Sequence, residues 1–319
     1  MNKVFITGTS GFIGKKIVDL FPRNAKLICI SRKKTSYNSS KKNIVQKNCD
    51  LRDKDKLKAI VYKTKPNIVI HLASNFKTNA SKKDIFLDNV QATENLLSCF
   101  KNIKLKQFIF TSSCAVYNKI PLGKIANEKY NTTPRSYYGK TKLIGERLIQ
   151  KYAKKYHFNY TIFRLHMVYG KGDRNIMLLI SLMKRSKIIP LINNGNYFVQ
   201  PIFVDNVAKV IIKSVNNEKT YNKSYNLAGS SPILFRDLLV LISKACNSKN
   251  TFINVPLVVA LFAAFFLELL SKAINKRFMI NRSVIKRLVL NSSYDISNIK
   301  KDLNIKPIPI IKGIKKIMN

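Results

Sequence analysis

Acidic side chains are scarce. Against 58 Lys and Arg stand 16 Asp and Glu, giving 319 residues a net charge of +42. A surplus of that size ordinarily points to nucleic acid or another polyanion. Here it is mostly lysine and runs the whole length, with no compact basic arm and no patch where basic and aromatic residues interleave. It reads as solvated faces with no specific nucleic-acid partner, though it favours anionic small molecules such as nucleotides. Cysteine is equally thin: five, at 29, 49, 99, 114 and 246, odd in number, irregular in spacing and without a CxxC pair. That pattern excludes a disulfide framework and a zinc site and fits a reduced, cytoplasmic setting. The three histidines are scattered, so no metal is expected. No internal repeat is present, and only the brief polar run Lys33–Lys42 has a disorder-like composition. A leader peptide is not expected, because the first strand begins at residue 3. Nor is any apolar run long enough to span a membrane. The most apolar stretch, PLVVALFAAFFLELL at Pro256–Leu270, is interrupted by Glu268 and followed by Lys272, Lys276 and Arg277. Burial in a lobe is the expectation for it; weak contact with a membrane surface is the alternative.

What the chain does have is 46% hydrophobic residues, enough for one large domain or a domain with a smaller lobe. It opens with KVFITGTSGFIG at Lys3–Gly14. Val4, Phe5 and Ile6 read as a buried strand, and the residues from Phe12 onward have helical apolar spacing. Between them lie glycines at 8, 11 and 14. Gly8 allows the tight turn, Gly11 lets the backbone approach a pyrophosphate, and Gly14 lets the helix pack on its strand. The turn running from Gly8 through Ser10, Gly11, Phe12 and Ile13 to Gly14 is therefore a candidate phosphate cradle at a helix N-terminus. A second strand, Lys26–Ile30, ends in Ser31-Arg32-Lys33-Lys34, where the adenosine ribose would lie. An acidic residue there suits NAD, whereas a basic run suits a 2′-phosphate, so the expected cofactor is NAD or NADP, with NADP favoured.

Strands and helices then alternate. Asn43–Gln46, Ile68–Leu72, Gln107–Thr111 and Tyr160–Leu165 read as strands. Asp53–Lys63, Asp84–Phe100 and Arg135–Tyr156 read as helices, and a long loop covers Ser112–Pro134. This predicts an α/β fold, a doubly wound parallel Rossmann sheet over residues 1–170, with ligands at the carboxyl ends of its strands. Residues 171–319 read as a smaller mixed α/β C-terminal substrate lobe, with about 200–229 returning to the main domain.

Tyr138 and Lys142, in SYYGKTKLIGE, share one face of a predicted helix. A lysine one turn from a tyrosine can lower the phenol pKa by its charge, and a tyrosinate can remove a hydroxyl proton as hydride leaves for a nicotinamide. Tyr37–Lys41 has the same spacing, but it lies in the polar run and has no serine partner. Ser113, at the end of a central strand, can hydrogen-bond the reacting oxygen or cap the loop. Cys114 lacks a neighbouring base and reads as a packing residue. His166 follows a strand, where a lone histidine serves as an acid or base or is simply a satisfied structural residue.

Taken in order, TGTSGFIG at Thr7–Gly14, Asp50-Leu51, HLAS at His71–Ser74, NVQATENLL from Asn89, FTSSCAVY at Phe110–Tyr117, YGKTK at Tyr138–Lys142, FRLHMVYG at Phe163–Gly170, PIFVDNVA at Pro201–Ala208 and YNLAG at Tyr225–Gly229 resemble the extended short-chain dehydrogenase/reductases, specifically the NAD-dependent epimerase/dehydratase family. The resemblance covers nearly the whole chain. It implies a catalytic set of Ser113, Tyr138 and Lys142, with Lys142 also on the nicotinamide ribose and Asp50 on the adenine. It places Leu51, Leu72, Ala73, Ser74, Asn89, Thr111, Leu165 and Val168 along the cofactor, and Ser74, Ser113, Cys114, His166, Met167 and Gln200 toward the substrate. Ser113-Cys114-Ala115 lacks the Asp-Glu pair of the sugar 4,6-dehydratases, which disfavours dehydration. Met167 stands where sugar-nucleotide epimerases usually carry an asparagine. The expected activity is NAD(P)-dependent epimerisation of a nucleotide-activated sugar through a transient ketone. The alternative is an NADP-dependent reductase or dehydrogenase acting on a sugar, a lipid-linked or a steroid-like substrate. A non-catalytic role would waste an intact Ser-Tyr-Lys set. Dimerisation through two helices per subunit is a further implication of the resemblance.

Overall fold

A computed structural model describes residues 2–33, 43–77, 80–273 and 282–318; the Tyr37–Lys41 pair falls outside these. Seven strands form one sheet: β1 (Lys3–Thr7), β2 (Lys26–Ser31), β3 (Ile44–Asn48), β4 (Ile68–His71), β5 (Gln107–Ser113), β6 (Asn159–Leu165) and β7 (Lys223–Leu227). Their order is β7-β6-β5-β4-β1-β2-β3, and every pairing is parallel. Alternate residues of each strand feed two cores, one per face. Val4, Ile6, Ile68 and Ile70 enter one, and Phe5, Val69 and Phe108 the other. Burial on both sides is why these strands read as unbroken apolar runs.

The crossovers in the first half are α1 (Phe12–Leu20), α2 (Lys54–Thr64), α3 (Lys82–Phe86) with α4 (Ala92–Ser98), and α5 (Tyr137–Tyr156). The helix expected over Asp84–Phe100 is not regular, because a π-helical turn at Leu87–Gln91 joins α3 to α4. In α5, Ser136 caps the start by accepting from the Gly139 N–H at 3.0 Å. Gly139, Lys142, Glu146, Ile149 and Ala153 form its buried stripe, so two charged residues occupy an inward helical face.

Beyond β6 come α6 (Arg174–Arg185), α7 (Val204–Ser214), α8 (Phe235–Ala245), α9 (Leu257–Ala273), α10 (Arg282–Leu288), α11 (Ser297–Leu303) and α12 (Ile310–Met318). Helices α6, α8 and α12 enclose a separate small core that includes Ile180, Met183, Leu238, Ile242 and Ile314. Val207 and Ile211 of α7 instead join the main core, as do Tyr294, Ile299 and Leu303 near the end of the chain. The apolar stretch at Pro256–Leu270 is not buried in the lobe as expected. It forms α9, in which Ala260 and Ala264 are buried, Leu257 and Leu261 are partly buried beside them, and Val258, Val259, Phe262, Phe265, Phe266, Leu269 and Leu270 are exposed. Among the described residues no helix is long and apolar enough to cross a membrane.

Candidate active site

Strand order reverses at β1, which pairs with β2 on one side and β4 on the other. In open α/β sheets the crevice at such a reversal is where ligands bind. The turn after β1 fills that place. Gly8 has φ +71°, and a Cβ on it would stand 2.7 Å from the Ala73 backbone nitrogen. A Cβ on Gly14 would stand 2.3 Å from the Gly8 carbonyl oxygen. Neither position admits a side chain, so the turn stays closely packed against the backbone around it. Gly11 is the N-cap of α1 and supplies no capping side chain, and the first turn carries no carboxylate. The start of α1 is therefore open to an anion.

Across the crevice, Thr7 and His71 face each other in register. The Thr93 hydroxyl donates to the Asn89 carbonyl at 2.7 Å, so His71 Nε2 donates to Thr93 (2.9 Å) and Nδ1 accepts from the Thr7 hydroxyl (2.6 Å). This is a neutral imidazole. Burial first, and the Lys142 charge second, hold its pKa down to about 3. Asn89 sits in the π-helical turn, an irregularity that often marks functional sites. Its Oδ1 accepts from the Asn75 N–H (2.6 Å) and the Ser74 hydroxyl (3.2 Å). Its Nδ2 donates to the Asn75 carbonyl (2.9 Å) and to Thr141 Oγ1 (3.1 Å). One amide thus ties the segment after β4 to α5.

The Tyr138 phenol lies at the first turn of α5, facing the Ser74 and Ser113 hydroxyls. Burial raises its pKa, and those two hydroxyls pull the other way. Burial outweighs the two serines, so the net shift is upward, and the downward pull expected from the Lys142 charge is not among its causes. Lys142 itself is buried, with Nζ 4.2 Å from the centre of the Phe110 ring, and burial lowers its pKa to about 7 against an upward pull from Glu146. Close approach of α5 to the end of β5 depends on Gly139, where a Cβ would fall 2.1 Å from the Ala115 carbonyl oxygen.

Behind this corner is a buried ion pair absent from the sequence reading. Arg164 donates to both oxygens of Glu146, at 3.1 and 2.8 Å, and Ser112 donates to the same carboxylate. Arg164 also donates to Tyr117 Oη (2.9 Å), which donates to Asn226 (2.6 Å). The network links the carboxyl ends of β5, β6 and β7 to the middle of α5. Glu146 was visible as a carboxylate four residues after Lys142, on the same face; its partner on another strand was not.

The sequence model of the NAD dependent epimerase/dehydratase family matches residues 4–228. The chain belongs to this family. Like other members it is an NAD(P)-dependent enzyme of the extended short-chain dehydrogenase/reductase type. An N-acetyl-alpha-D-glucosaminyl-diphospho-ditrans,octacis-undecaprenol 4-epimerase from Escherichia coli O157:H7 is 21% identical to it, over 99% of this chain and 94% of that one. A Methanocaldococcus jannaschii protein provisionally named UDP-glucose 4-epimerase is 31% identical, over 67% of this chain and 73% of its own. The crystal structure of a Thermotoga maritima UDP-glucose 4-epimerase with UDP-glucose shares the fold, with TM-score 0.80 and 21% identity over 99% of this chain and 97% of that one.

Within this epimerase/dehydratase fold the remaining candidate residues fall into three groups. Ser10, Gly11, Phe12 and Ile13 stay at least partly exposed on the glycine turn, and Asp50 sits in a surface turn, its Oδ1 accepting from the Arg52 N–H at 3.0 Å. Leu72, Leu165 and Val168 are partly buried beside the main core, and the Thr111 hydroxyl donates to the His71 carbonyl at 3.1 Å. Ser31 donates to the Lys33 carbonyl at 2.6 Å, and Arg32 lies 3.8 Å from Asp88, a carboxylate held more closely by Arg52 at 2.8 Å. Three further candidates turn inward. Leu51 turns its side chain into the core. Cys114 is buried, its Sγ donating to the Arg164 carbonyl at 3.2 Å, and burial pushes its pKa well up. Gln200 is buried too: Nε2 donates to the Gly229 (2.8 Å) and Tyr294 (3.1 Å) carbonyls and Oε1 accepts from the Tyr294 N–H (2.7 Å), which leaves it a structural clamp. His166 packs against Tyr294 with Nε2 unpartnered, and burial lowers its pKa to about 4. Met167 carries φ +36° and packs on the lobe core.

Proposed function

We propose that this protein is an NAD(P)-dependent epimerase acting on a sugar carried by a diphosphate, through transient oxidation of one sugar hydroxyl to a ketone. The observation that carries the reading is the convergence of three hydroxyls, Tyr138, Ser113 and Ser74, at the carboxyl ends of the strands that also carry the glycine turn, with Lys142 one helical turn after Tyr138 on α5. The residues present fit a dinucleotide. The start of α1 lacks a side-chain cap and a carboxylate, and the absence of a Cβ at Gly8 and Gly14 lets the turn pack tightly against the backbone after β4 and against α1, leaving the helix N-terminus facing the crevice. Bound there, the dinucleotide supplies the hydride acceptor and donor. The protein supplies the proton chemistry. Tyr138 accepts the proton of the reacting hydroxyl and returns it, a role that matched proton transfer accelerates by about 10²–10⁴-fold. Ser113 and Ser74 hold the reacting oxygen at the phenol and favour its phenolate against burial, and Lys142 lies one helical turn away on the same face of α5. Residues from 171 onward cover the sugar.

The three relatives differ in what bears the sugar, uridine in two and undecaprenol in the third, and the diphosphate is what they share. Within this reading the cofactor is NADP, because β2 ends in Ser31 and an exposed Arg32 where NAD enzymes place a carboxylate. Ser31→Asp is expected to move the ratio of kcat/KM for the two cofactors toward NAD; an unchanged ratio would remove this part. The main test is incubation with either dinucleotide and a panel of diphosphate sugars, following product stereochemistry and reduced-cofactor absorbance. Interconversion without net absorbance change supports epimerisation. Stoichiometric consumption of reduced cofactor would overturn it in favour of a net reductase.

A further inference from the structure

The reaction does not account for the outer face of α9. At roughly 100° per residue, Val258, Phe262, Phe265, Phe266, Leu269 and Leu270 fall within one arc of about 140°. All six are exposed: Val258 is 77% accessible, Phe262 63% and Phe266 52%. The opposite side packs Ala260 and Ala264 against Ile285 of α10. The helix has one carboxylate, Glu268, and Arg282 neutralises it at 2.8 Å. Arg282 also lies 5.0 Å from the centre of the Phe265 ring, at the edge of the face.

Cations continue from that edge toward the catalytic corner. Lys286 lines a cavity of about 350 Å³ along the face, with Val258, Phe262 and Arg282. It also lines a second cavity of about 510 Å³, together with Lys119, Arg135 and Asn118. Arg135 immediately precedes the cap of α5, and Asn118 follows the turn that Ser113 begins. An apolar face, a cationic cavity and the start of the catalytic helix thus follow one another.

Charge decides what covers the face. A second copy would bring together two cationic rims on chains of net charge +42, which repel. An anionic bilayer attracts the same rim and takes up the apolar side chains. At 17 residues α9 is about 25 Å long, shorter than the ~30 Å hydrocarbon core, so it suits lying in the interface and not spanning it.

We propose that α9 seats the protein in the surface of an anionic bilayer, and that the cavity shared by Lys119, Arg135 and Lys286 receives the diphosphate of a sugar whose carrier lipid is embedded there. This rests on the epimerase reading and narrows the carrier from nucleoside or lipid to lipid. The full-length chain and a Phe262→Asp/Phe266→Asp variant are sedimented with phosphatidylglycerol–phosphatidylcholine vesicles. They are then assayed on a glycosyl-diphospho-polyprenol held in those vesicles and on the same sugar carried by uridine diphosphate. Dinucleotide affinity reports intact folding, and Lys286→Ala is a milder second probe. The wild type is expected to sediment with the vesicles and the double variant to bind about tenfold more weakly or worse. Turnover of the vesicle-borne substrate should fall in step, with turnover of the soluble sugar unchanged, and Lys286→Ala should weaken binding to anionic vesicles more than to neutral ones. Equal sedimentation of wild type and double variant overturns the inference, as does a lipid-free dimer that the double variant converts to monomer. In either case, turnover of the soluble sugar leaves the epimerase reading standing. Vesicle binding lost in the variant, with neither substrate turned over by the wild type, sinks the epimerase reading and the carrier assignment while the docking surface survives.

Discussion

Glu146 and Phe262 sit on helices of similar length, the 20-residue α5 and the 17-residue α9, and meet opposite surroundings. Glu146 is a carboxylate in the interior, and both its oxygens accept hydrogen bonds from Arg164 while Ser112 adds a third. Phe262 is an aromatic ring largely in solvent, touching Phe266 edge-on at 4.8 Å between ring centres. A buried charge persists only where partners satisfy it, and here the partners also fix the strand end that carries Ser113. An exposed apolar face has no such internal justification and points outward, to whatever covers it. One region is explained by what the chain supplies to itself, the other by what it lacks.

The sharpest way to strain that contrast is at the phenol. Tyr138→Phe is expected to lower turnover by about 10²–10⁴-fold while dinucleotide affinity stays near wild type. Steady-state kinetics with a binding titration checks it, and near-wild-type turnover would show that another group moves the proton.

Next in size is the ion pair behind it. Glu146→Leu leaves Arg164 buried without its carboxylate and should cost about 3–5 kcal/mol in denaturant unfolding. Adding Arg164→Met should recover much of that loss. A double variant no more stable than the single one would mean that the network is held by Tyr117 and Ser112 and not by charge pairing.

The third prediction concerns pH. Lys142 keeps its proton to about 10.5 in the unfolded chain and to about 7 when folded. Between those values the unfolded state binds more protons, so stability rises with pH across that window, and the penalty is greatest below it. Lys142→Met removes the penalty. Its advantage in thermal midpoint over wild type should therefore be largest near pH 6.5 and shrink toward pH 10, values that bracket the folded titration. A constant difference would mean that the ammonium is solvated in the folded protein.

The smallest effect is expected on α9. Phe262→Ser, though it truncates a large apolar side chain, should change stability by no more than about 0.5 kcal/mol, because the ring is already in water. A loss of several kcal/mol would mean that the face is covered within the protein itself.

How far these features could be read from the residues follows the same division. Apolar runs bounded by the glycine turn gave the strands and their parallel pairing, because strands buried on both faces leave a continuous signature. Tyr138, Lys142 and Ser113 were legible because two lie one helical turn apart and the third ends a strand. The Glu146–Arg164 pair was not, because a contact between α5 and β6 has no local spacing. The π-helical turn at Leu87–Gln91 was hidden for a related reason: it is held by Asn89, whose partners lie on a loop and on α5. Pro256–Leu270 misled, since hydrophobicity states what a segment avoids and not which surface relieves it. Cys114 and Gln200 were placed toward the substrate by motif position, but their side chains turn to backbone carbonyls in the core.

The central claim, that a proton held at Tyr138 accompanies a hydride leaving and returning to the same sugar carbon, is tested most directly by isotope retention. A diphosphate sugar deuterated at the inverting carbon is converted in ordinary water and its product examined by mass spectrometry. Full retention of deuterium in the epimer is the predicted result. Replacement by solvent hydrogen would show deprotonation at carbon instead, and would contradict the assignment of Tyr138, Ser113 and Lys142 to transient oxidation.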